Sequence, residues 1–594
     1  MFDMNKLNVL FYTVCGGKFG MGHFIRCLAL ALKGNNFIEG FFYLRKSGGS
    51  RKKLAGGRIP LPNNSRYINE IDDLEDVNLV VSDVRNTSPK EMRKLTKIAP
   101  VISFDDWGAG IDYAHVTIYP LPTLREISGN LFGLEYLILN PAVTATSPLS
   151  IKDKKGVLVC FGGSDPYNLS PVVARALNQI GIRPLVVAGP FSEINKDEFD
   201  GQLVRDFSIL PELLNKSRLV ITSFGITLFE AMYLQTPVIL FNNTAYHNKL
   251  AEKFDVISLG YRNRKIIPKL PKLLERTIGG EDVLIERAEM NKKLIDGKAA
   301  ERILELMKKT ASGGRRRCLF NHQKYYSVKR GTKNTLFRCR KCGDLFNFLF
   351  DSEGDSYDSP SYFLSNYRAQ YGKTYIADRE NIERMAGLRL ERIENILGRH
   401  GKLLDVGSAL GFLVKVARDR GWDAEGVEIS AYAVEWSRRR LGINVHRGSF
   451  FDVELDKDGY DVITFFYVLE HFKELDRVIE KVKSVLKSGG ILAIAMPNRG
   501  GISFRFNRRD YLRDHPNDHY IDTTHRNLRK YLRNYGFGKF YTISTGIHPE
   551  RFFSILRLNK LGLNEKRELL YRIYCTAAKK LNLGDTFELY AVKN

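Results

Sequence analysis

The sequence predicts an α/β protein built from several doubly wound parallel sheets, and three observations support this prediction. Short apolar runs that are typical of buried strands alternate with segments of helical length, as at Leu7–Val14 and Phe24–Leu32. Glycine-rich turns join a strand to a helix at Cys15–Gly22, Gly162–Pro166 and Gly407–Gly411. At 594 residues the chain is too long for one core, so we expect several domains.

The expected boundaries divide the chain into four parts. Two α/β domains take residues 1–150 and 151–310, a linker with a small module takes 311–350, and a third α/β domain takes 351–594. Polar, glycine-containing and charged residues at Ala311–Arg317 are typical of a linker.

Charge and hydropathy limit the functions open to the chain. Lysine and arginine number 91 against 67 acidic residues, so the net charge is +24 at pH 7. This excess favours nucleotide sugars, nucleic acid or an anionic membrane surface, although a solvated basic surface explains it equally well. No helix-turn-helix or RNA-binding signature accompanies the charge, so we expect no nucleic-acid partner. Without a signal peptide or an apolar run of about 18 residues, we expect a cytoplasmic protein, with peripheral membrane binding left open.

The segment after residue 402 predicts a cradle for a nucleotide cofactor. Leu403–Val406 is the end of a buried strand, Gly407–Gly411 is the turn, and a helix follows. Glycines let the backbone approach a ligand, and the helix N-terminus offers N–H groups. Glu428, roughly 20 positions after Asp405, is the acidic residue expected on a ribose diol. This pattern alone fits either NAD or S-adenosylmethionine (SAM).

Two later segments favour SAM. Tyr460–His471 predicts a fourth strand that runs into an acidic–histidine pair, and Leu486–Ile494 predicts a helix end, a turn and a fifth strand. In this order the motifs resemble the class I SAM-dependent methyltransferases, especially those acting on sugars and cell-surface glycans, over roughly residues 380 to 594. Ala409 departs from the pattern, because the family usually has glycine there. The resemblance implies cofactor-binding roles for Asp405, Gly407, Ser408, Gly411 and Glu428.

The acceptor side of this domain offers three candidate features. His471 could take a proton from a sugar hydroxyl, or Glu470 and His471 could cap or orient the next helix. A polar cluster before the last helix could recognise a glycan, bind another zinc ion or be an ordinary loop; its members are His515, Asp518, His519, Asp522 and His525. An aromatic-rich segment could form a platform for a sugar ring, but we favour a lid over the domain; it contains Tyr357, Tyr362, Phe363, Tyr367, Tyr371 and Tyr375.

The first half repeats the strand, glycine turn and helix twice. The first turn leads into a helix that carries His23 and Arg26. The helix dipole keeps an imidazole at this end neutral, so His23 could act as a general base; the alternative is a capping histidine without chemistry. Later strands end at Asp83 and Asp105–Asp106, as in ligand clefts but also as in plain turns.

In the second unit, the turn Gly162–Pro166 follows a strand. Asp165 suits an N-cap with the next proline at the first helical position, and the free N–H groups there suit a pyrophosphate. Further on, Thr227 and Glu230 fit a capping box, which is a purely structural role.

Two such units with glycine turns facing one cleft imply the two-domain glycosyltransferase architecture called GT-B. The segments Gly20–Ala31, Gly162–Pro166 and Gly225–Ala231 further resemble the UDP-sugar hydrolase of pseudaminic acid synthesis and its spore-coat-polysaccharide relatives, over about residues 6 to 308. The resemblance implies that His23 serves cleavage of the sugar–UDP bond and that Glu230 binds the uridine ribose. The residues implied to bind the UDP-sugar are Gly22, Arg26, Gly163, Ser164, Asp165, Gly225, Thr227, Glu230 and Asn248.

Departures from that family concern the sugar side of the site. Tyr12–Val14 stands where Arg-x-Asp is usual, Val84–Arg85 where a tyrosine follows the aspartate, and Tyr246–Asn248 where an Asn-Gln pair is usual. Hydrolysis, glycosyl transfer or a different amino sugar therefore stays open.

We expect a two-enzyme chain of surface-polysaccharide biosynthesis: a UDP-sugar hydrolase or glycosyltransferase fused to a methyltransferase acting on a sugar or glycan. In the alternative, the first half is a non-catalytic module that binds nucleotide-linked glycan for the methyltransferase.

Two short ligand pairs between the halves predict a zinc site. Cys318-x3-His322 and Cys339-x2-Cys342 stand about 20 residues apart, as in a zinc ribbon or knuckle. Sugar methyltransferases of this type often carry a small cysteine-rich module ahead of the SAM domain, although His322 stands where cysteine is more usual. We expect structural zinc here; the alternative is a degenerate ribbon without metal.

Overall fold

The computed structural model describes residues 6–15, 21–45, 61–72, 74–313, 318–351, 360–368, 372–547 and 564–594. Most of the first glycine turn, at 16–20, and linker residues 314–317 lie outside these ranges. The chain forms two compact units, Met1–Arg315 with Arg330–Thr332 and Arg316–Lys329 with Lys333–Asn594. No helix among the described residues is long and apolar enough to cross a membrane.

The first unit contains two parallel sheets. The strands of the first sheet are β1 (Leu7–Thr13), β2 (Ile38–Leu44), β3 (Ser65–Ile68), β4 (Leu79–Asp83), β5 (Val101–Phe104), β6 (Val116–Tyr119) and β7 (Leu131–Phe132). Those of the second are β8 (Val157–Val159), β9 (Leu185–Val187), β10 (Gln202–Val204), β11 (Leu219–Thr222), β12 (Val238–Asn242) and β13 (Ile257–Tyr261). In both sheets the first strand lies inside, and the later strands are added on either side of it. The strand orders are β3-β2-β1-β4-β5-β6-β7 and β10-β9-β8-β11-β12-β13.

Helices cover these sheets, which explains why β4, β5, β11 and β12 are buried at every position. The α-helices described in this unit are Gly22–Lys33, Pro89–Ile98, Pro141–Thr144, Leu169–Asn178, Leu210–Lys216, Ile226–Tyr233, Ala245–Ala251, Leu270–Ile278, Glu281–Asn291 and Ala299–Ser312.

The second unit is built on a seven-stranded sheet of order β19-β18-β17-β20-β21-β24-β23. Its strands are β17 (Lys402–Val406), β18 (Asp423–Glu428), β19 (Val445–Arg447), β20 (Tyr460–Phe466), β21 (Leu486–Pro497), β23 (Phe537–Thr545) and β24 (Thr586–Lys593). The first five are parallel, and β24 lies antiparallel between β21 and β23. The prediction of an α/β fold with a parallel Rossmann-like sheet is confirmed for this unit.

The α-helices described in the second unit are Arg379–Leu397, Phe412–Asp419, Ala431–Leu441, Leu475–Val485, Ile502–Phe506, Arg508–Arg513, His525–Arg533 and Asn564–Lys580. Because the five parallel strands point the same way, their carboxyl ends meet at one edge of the sheet, which is where such folds bind ligands.

A small sheet connects the cysteine-containing segment to the same unit. It consists of β14 (Tyr325–Arg330), β15 (Asn334–Cys339), β16 (Leu345–Leu349) and β22 (Ile521–Asp522), in that order. The last of these strands comes from the middle of the expected methyltransferase region. The module expected at 311–350 therefore shares a sheet with that region rather than forming a body of its own.

Candidate functional site

A cavity of about 600 Å³ lies at the carboxyl edge of the seven-stranded sheet. Its walls include the turn residues Gly407, Ser408 and Ala409 together with the strand-end acids Asp405 and Glu428. This volume falls within the usual range for a cofactor pocket. Four of the five residues expected to bind SAM therefore lie around one space, and Gly411 is the one that does not line it.

Glu428 ends β18 and directs its carboxylate onto the glycine turn. Its side chain is 7% exposed. One oxygen accepts the N–H of Ala409 at 2.8 Å, and the other accepts the N–H of Ser430 at 2.9 Å. Burial raises the pKa of Glu428, although these backbone N–H groups oppose the shift. The carboxylate borders the cavity with acceptor capacity to spare, as a ribose diol requires.

Asp405 is the next-to-last residue of β17 and is deeply buried. The hydroxyl of Thr464 donates to it at 2.5 Å. Burial raises the pKa of Asp405 to about 7, against the lowering effects of Thr464 and Arg389. The neighbouring hydroxyl of Ser408 is also buried and has no hydrogen-bond partner among the described residues. An ionisable acid and an unsatisfied hydroxyl in a cavity wall fit a polar, cationic cofactor.

Packing against a neighbouring side chain explains why residue 407 is glycine. Gly407 has φ +72°, and a Cβ atom there would lie 2.5 Å from Cγ2 of Val468. The expectation that Gly407 makes room for the cofactor is therefore incomplete, because Val468 already requires its small size. Ala409, where the resembling family has glycine, has φ +49°. Its backbone is strained for an L-residue, and the N–H it presents to Glu428 accounts for that conformation.

His471 lines the cavity on the acceptor side. It ends the short 3₁₀ helix Leu469–His471, and the next helix has Glu474 as its N-cap without a side-chain capping bond. Neither Glu470 nor His471 caps that helix, and the alternative that they orient it stays a prediction. Nδ1 of His471 lies 3.3 Å from the carbonyl oxygen of Asp518. Glu470 is buried, which raises its pKa, and its Oε2 has no hydrogen-bond partner among the described residues.

The histidine cluster expected before the last helix lies beside His471. The ring of His519 packs edge-on against that of His471, with centroids 4.9 Å apart. Asp522 accepts from His515 at 2.9 Å and from His519 at 3.2 Å. The ligand atoms of Glu470, His471 and His519 lie within 4.8 Å of one another, as do those of His515, His519 and Asp522, so either trio could hold a metal ion. His525 lies apart from them and borders a different cavity.

Aromatic residues close the cofactor cavity from the N-terminal side. Phe363, Tyr367 and Tyr375 all line it. Tyr375 stacks on Phe412 at 5.8 Å, and the hydroxyl of Tyr367 donates to Asp378 at 2.7 Å. These contacts favour the lid over the sugar platform. Tyr357, Tyr371 and the side chain of Tyr362 lie outside the described residues.

The four expected zinc ligands lie together in the small sheet module. The ligand atoms of Cys318, His322, Cys339 and Cys342 are within 4.8 Å of one another. Nδ1 of His322 lies 3.4 Å from Sγ of Cys318 and 3.3 Å from Sγ of Cys339. Such separations, about 3.5 Å, are those of a tetrahedral zinc shell.

Asp344 connects this cluster to the methyltransferase region. The thiol of Cys342 donates to Oδ2 of Asp344 at 3.2 Å, while Oδ1 accepts from Thr523 at 2.8 Å and from Asn527 at 2.6 Å. Asp344 thus connects the Cys342 thiol to the methyltransferase region; bound zinc would take Cys342 as a thiolate, which has no S–H left to donate to this carboxylate.

In the first unit His23 forms a buried pair with Asp83. His23 is 6% exposed and Asp83 is 0% exposed. Nδ1 of His23 lies 2.6 Å from Oδ1 of Asp83, and Arg26 donates to the same carboxylate at 2.6 and 2.7 Å. Burial acts to raise the pKa of Asp83, but Arg26 and His23 hold it below its usual range. An ionised Asp83 fixes the proton of His23 on Nδ1, which orients the ring as a catalytic carboxylate does.

Arg26 has a structural part in this site. Besides Asp83 it donates to Asp105 at 2.8 Å and stacks on Phe104 with its guanidinium carbon 4.9 Å from the ring centre. Asp83 is the last residue of β4, and Asp105 directly follows β5. Arg26 therefore fixes Asp83 and Asp105 beside His23; three of its five N–H donors bond to these carboxylates, and the expectation that Arg26 binds the UDP-sugar stays a prediction.

The start of the helix that carries His23 lies against residues that follow strands of the second sheet. A Cβ atom on Gly163 would lie 2.5 Å from Cγ of Met21, and one on Gly22 would lie 3.8 Å from Cγ1 of Ile226. The start of the helix that carries His23 thus meets the turn after β8. Ser164 is half-buried beside this contact.

Asp165 differs from the expected N-cap. The helix begins at Leu169, with Asn168 at its N-cap, so Pro166 is not its first residue. The carboxylate of Asp165 accepts the N–H groups of Leu169 at 2.8 Å and Ser170 at 2.9 Å. These two donors, which the sequence assigns to a pyrophosphate, are occupied by Asp165.

The capping box expected from Thr227 and Glu230 is absent. The helix Ile226–Tyr233 has Gly225 as its N-cap without a side-chain bond. Glu230 is buried and accepts the N–H of Asn140 at 3.2 Å. Burial raises the pKa of Glu230 to about 7. A buried carboxyl without a structural capping role favours a binding role.

Some residues at positions where this sequence differs from the resembling family also lie close together in this unit. The side chain of Asn248 is held by residues of the second sheet, because its Oδ1 accepts hydrogen bonds from Ser258 at 2.8 Å and from Asn242 at 3.3 Å. The pKa of the adjacent His247 is lowered by burial and by the charge of Arg85. Arg85 and His247, which replace the family's usual residues, thus lie close enough to interact.

Sequence reasoning missed several lining residues. Asp83 was recognised as a strand end but not as the partner of His23. Gly448–Phe450 and Arg389 also border the cofactor cavity. The three-residue strand β19 gives almost no periodic signal, and Arg389 lies on a helix with an ordinary charged pattern.

Comparison with known proteins supports the methyltransferase assignment. A family model described as a methyltransferase domain matches residues 376–539. The chain is 29% identical over 118 residues to the ubiquinone biosynthesis O-methyltransferase of Coxiella burnetii, covering 19% of this chain and 50% of that protein. It is 27% identical over 269 residues to the uncharacterized protein MJ1062 of Methanocaldococcus jannaschii, covering 39% of this chain and 54% of that protein. The chain spans about half the length of these curated relatives.

Solved methyltransferases also align with the chain. A SAM dependent methyltransferase from Archaeoglobus fulgidus aligns over 39% of this chain and 99% of its own, at 17% identity and a TM-score of 0.29. A geranyl diphosphate C-methyltransferase from Streptomyces coelicolor A3(2) aligns over 36% of this chain and 80% of its own, at 16% identity and a TM-score of 0.26. The family model, the strand order and the acids at the carboxyl edge together identify residues 376–539 as part of a class I SAM-dependent methyltransferase domain.

Proposed function

We propose that the chain joins two activities of surface-glycan synthesis. The second unit methylates a sugar or glycan, and the first unit cleaves or transfers from a UDP-sugar. The cofactor cavity, with Glu428 and Asp405 at adjacent strand ends, is the observation that carries the methyltransferase part. The buried His23–Asp83 pair carries the part assigned to the first unit.

In the second unit each residue has a defined task. SAM, when bound, supplies a methyl group already activated by its sulfonium. Glu428 would hold the ribose, and Asp405 would face the cationic end of the cofactor. The aromatic lid excludes water, and His471 is positioned in the cavity wall to take a proton from the acceptor hydroxyl.

In the first unit His23 would act as general base and Asp83 as the residue that orients it. Glu230 would bind the uridine ribose, as the resemblance implies, and its buried, uncapped carboxyl supports this. Arg85 and His247 would face the sugar, so the altered positions lie where a change of substrate is decided. The alternative, a non-catalytic module that binds nucleotide-linked glycan, rests on those same alterations.

UDP release from a panel of UDP-amino sugars by the full-length protein separates the two alternatives. Release from at least one sugar supports catalysis. Tight UDP binding without release from any sugar supports the binding module. Calorimetric titration with SAM tests the second unit in the same preparation.

The affinity for SAM is expected to depend on pH through Asp405. Its pKa lies at about 7 in the structure because it is buried. Binding of a cationic cofactor favours the ionised carboxylate, which is lost as the pH falls through that value. We expect SAM to bind about tenfold more weakly near pH 6 than near pH 8. Calorimetric titration at both pH values measures this, and Asp405→Asn should flatten the dependence. Equal affinities in the wild type would contradict the prediction.

The cluster of Cys318, His322, Cys339 and Cys342 is expected to hold about one zinc ion per chain. Metal analysis of the purified protein measures this directly. Cys339→Ser should lose the zinc and lower the melting temperature of the second unit, because the module shares a sheet with β22, while UDP binding stays unchanged. Cys575→Ser, at a half-buried thiol outside the cluster, is the matched control and should retain zinc. A folded, metal-free wild type would show that the ribbon is degenerate.

A further inference from the structure

A second cavity of the second unit, of about 500 Å³, has no part in the function proposed above. Among the residues that the structure describes, its wall contains no aspartate or glutamate. Five arginines line it: Arg338, Arg499, Arg505, Arg508 and Arg526. Such a concentration of one charge in a concave space is unusual, because like charges at close range repel.

Among the described residues the positive charge is only partly offset, since the carboxyl group of Asp344 acts on Arg499 through space. Within the ranges that the structure describes, none of these five guanidinium groups forms an ion pair. Arg338 donates to the hydroxyl of Tyr326 at 3.4 Å, and Arg505 donates to the carbonyl of Gly500 at 2.7 Å. Neutral acceptors of this kind hold a guanidinium group without cancelling its charge.

The ring of Phe504 organises three of the arginines. The guanidinium carbons of Arg338, Arg499 and Arg508 each lie 5.6 Å from its centre. Phe504 itself is buried. Stacking on one ring fixes the planar groups while leaving N–H edges to bind a ligand. These three arginines therefore form an ordered group, while Arg505 and Arg526 are exposed.

Two buried polar atoms in the same wall have no partner. Nε of Arg499 and Nδ1 of His525 are buried and make no hydrogen bond among the described residues. His525 is 8% exposed. Buried polar groups are nearly always satisfied, so unsatisfied ones in a cavity wall indicate a ligand.

The cavity lies at the same sheet edge as the cofactor cavity. Asn498–Gly500 follow the end of β21, which runs parallel to β20. The strand β20 leads to Glu470 and His471 on the acceptor side of the cofactor site. The N–H of Tyr520 donates to the carbonyl of Glu470 at 2.7 Å, and the segment that follows reaches Thr524–Asn527 in the arginine cavity. A molecule that extends from the methyl-transfer site along this edge would reach the arginines.

We propose that the arginine cavity binds a phosphate or diphosphate group of the methyl acceptor, an inference that rests on the proposed methyltransferase function. Guanidinium groups match phosphate oxygens in pairs, and five of them suit a group with more than one negative charge. A concave site of this size fits a phosphoryl group on a small molecule better than a polymer. The acceptor is accordingly a sugar phosphate or a sugar carried on a nucleoside diphosphate.

Calorimetric titration of the full-length protein with inorganic pyrophosphate at low ionic strength tests the site. We expect Arg508→Gln and, separately, Arg526→Gln to weaken pyrophosphate binding about tenfold or more, since each removes charge-assisted bonds. Arg509→Gln is the matched control, because Arg509 is exposed on the same helix and does not line the cavity. Pyrophosphate binding by the first unit would persist in all three variants. The binding that is lost when an arginine is replaced is therefore binding in this cavity.

The affinity for SAM should be unchanged in the three variants, which also shows that they fold. Pyrophosphate affinity that is equal in wild type, Arg508→Gln and Arg526→Gln overturns the proposal. The proposal is also overturned if the wild type does not bind pyrophosphate but binds a single-stranded RNA oligonucleotide through Arg508. Loss of inorganic pyrophosphate binding together with an unchanged affinity for a sugar 1-phosphate, which lacks the uridine that the first unit is proposed to bind, would assign the site to free phosphate rather than to the acceptor. Failure of the wild type to bind SAM would instead refute the methyltransferase proposal.

Discussion

His23→Ala is expected to lower UDP release by the first unit about 10² to 10⁴-fold, the usual loss when a general base is removed. The affinity for UDP should change by no more than a few fold, because His23 is assigned to the bond that breaks and not to the nucleotide. Steady-state UDP release and calorimetric titration with UDP measure the two effects. Asp83→Asn should cause a loss of similar size, since an amide in place of the carboxylate no longer fixes the proton of His23 on Nδ1.

The matched control is His115→Ala, at the residue that directly precedes β6 of the first sheet. His115 is buried like His23, and its Nδ1 accepts the N–H of Val101 at 3.1 Å. Its removal should lower the melting temperature without a comparable loss of UDP release. Turnover of His23→Ala above a tenth of the wild-type rate would show that His23 is not the base. Wild-type turnover in Asp83→Asn would limit Asp83 to a structural role with Arg26.

The cofactor cradle could be predicted because its parts are nearly continuous in the chain. Asp405, the turn and Glu428 lie within one strand, one helix and the end of the next strand, so their spacing alone places them at one sheet edge. The four cysteine and histidine ligands were predictable for the same reason, since each pair lies within a few residues. In both cases local geometry brings the side chains together before any long-range packing is known.

The remaining features depend on contacts between distant segments. His23 and Asp83 are separated by 60 residues, and only the parallel pairing of β1 with β4 brings them together. No turn motif in the sequence indicates that β16 pairs with β22. The sequence therefore did not predict that the cysteine-containing module shares a sheet with the methyltransferase region. The arginines of the second cavity come from the ribbon, from the segment after β21 and from a later helix.

Some local interpretations failed because competing groups satisfied the same backbone atoms. Asp165 was expected to begin a helix, and instead it accepts the N–H groups of a helix that begins at Leu169. Thr227 and Glu230 have the spacing of a capping box, but Gly225 ends the preceding turn and Glu230 faces Asn140. Capping motifs identify residues that can bond to a helix end, whereas the tertiary structure decides which of them do.

Glu428→Ala is expected to weaken SAM binding roughly tenfold to a few hundredfold. Hydrogen bonds to a charged group contribute about 1.5–3 kcal/mol each, and about 1.4 kcal/mol is a factor of ten in affinity. The same carboxylate accepts the N–H groups of Ala409 and Ser430, so its loss also leaves the glycine turn without a support. A fall in melting temperature should therefore accompany the loss of affinity.

Glu425→Ala separates the binding effect from a general effect on β18. Glu425 lies on the same strand, where it pairs with His446 at 2.9 Å and with the hydroxyl of Tyr460, and it does not line the cofactor cavity. It should lower stability while leaving the affinity for SAM near that of the wild type. UDP binding by the first unit should be unchanged in both variants. Normal SAM binding by Glu428→Ala would mean that another group holds the ribose. The hydroxyl of Ser408, which is buried in the cavity wall without a partner among the described residues, is then a candidate.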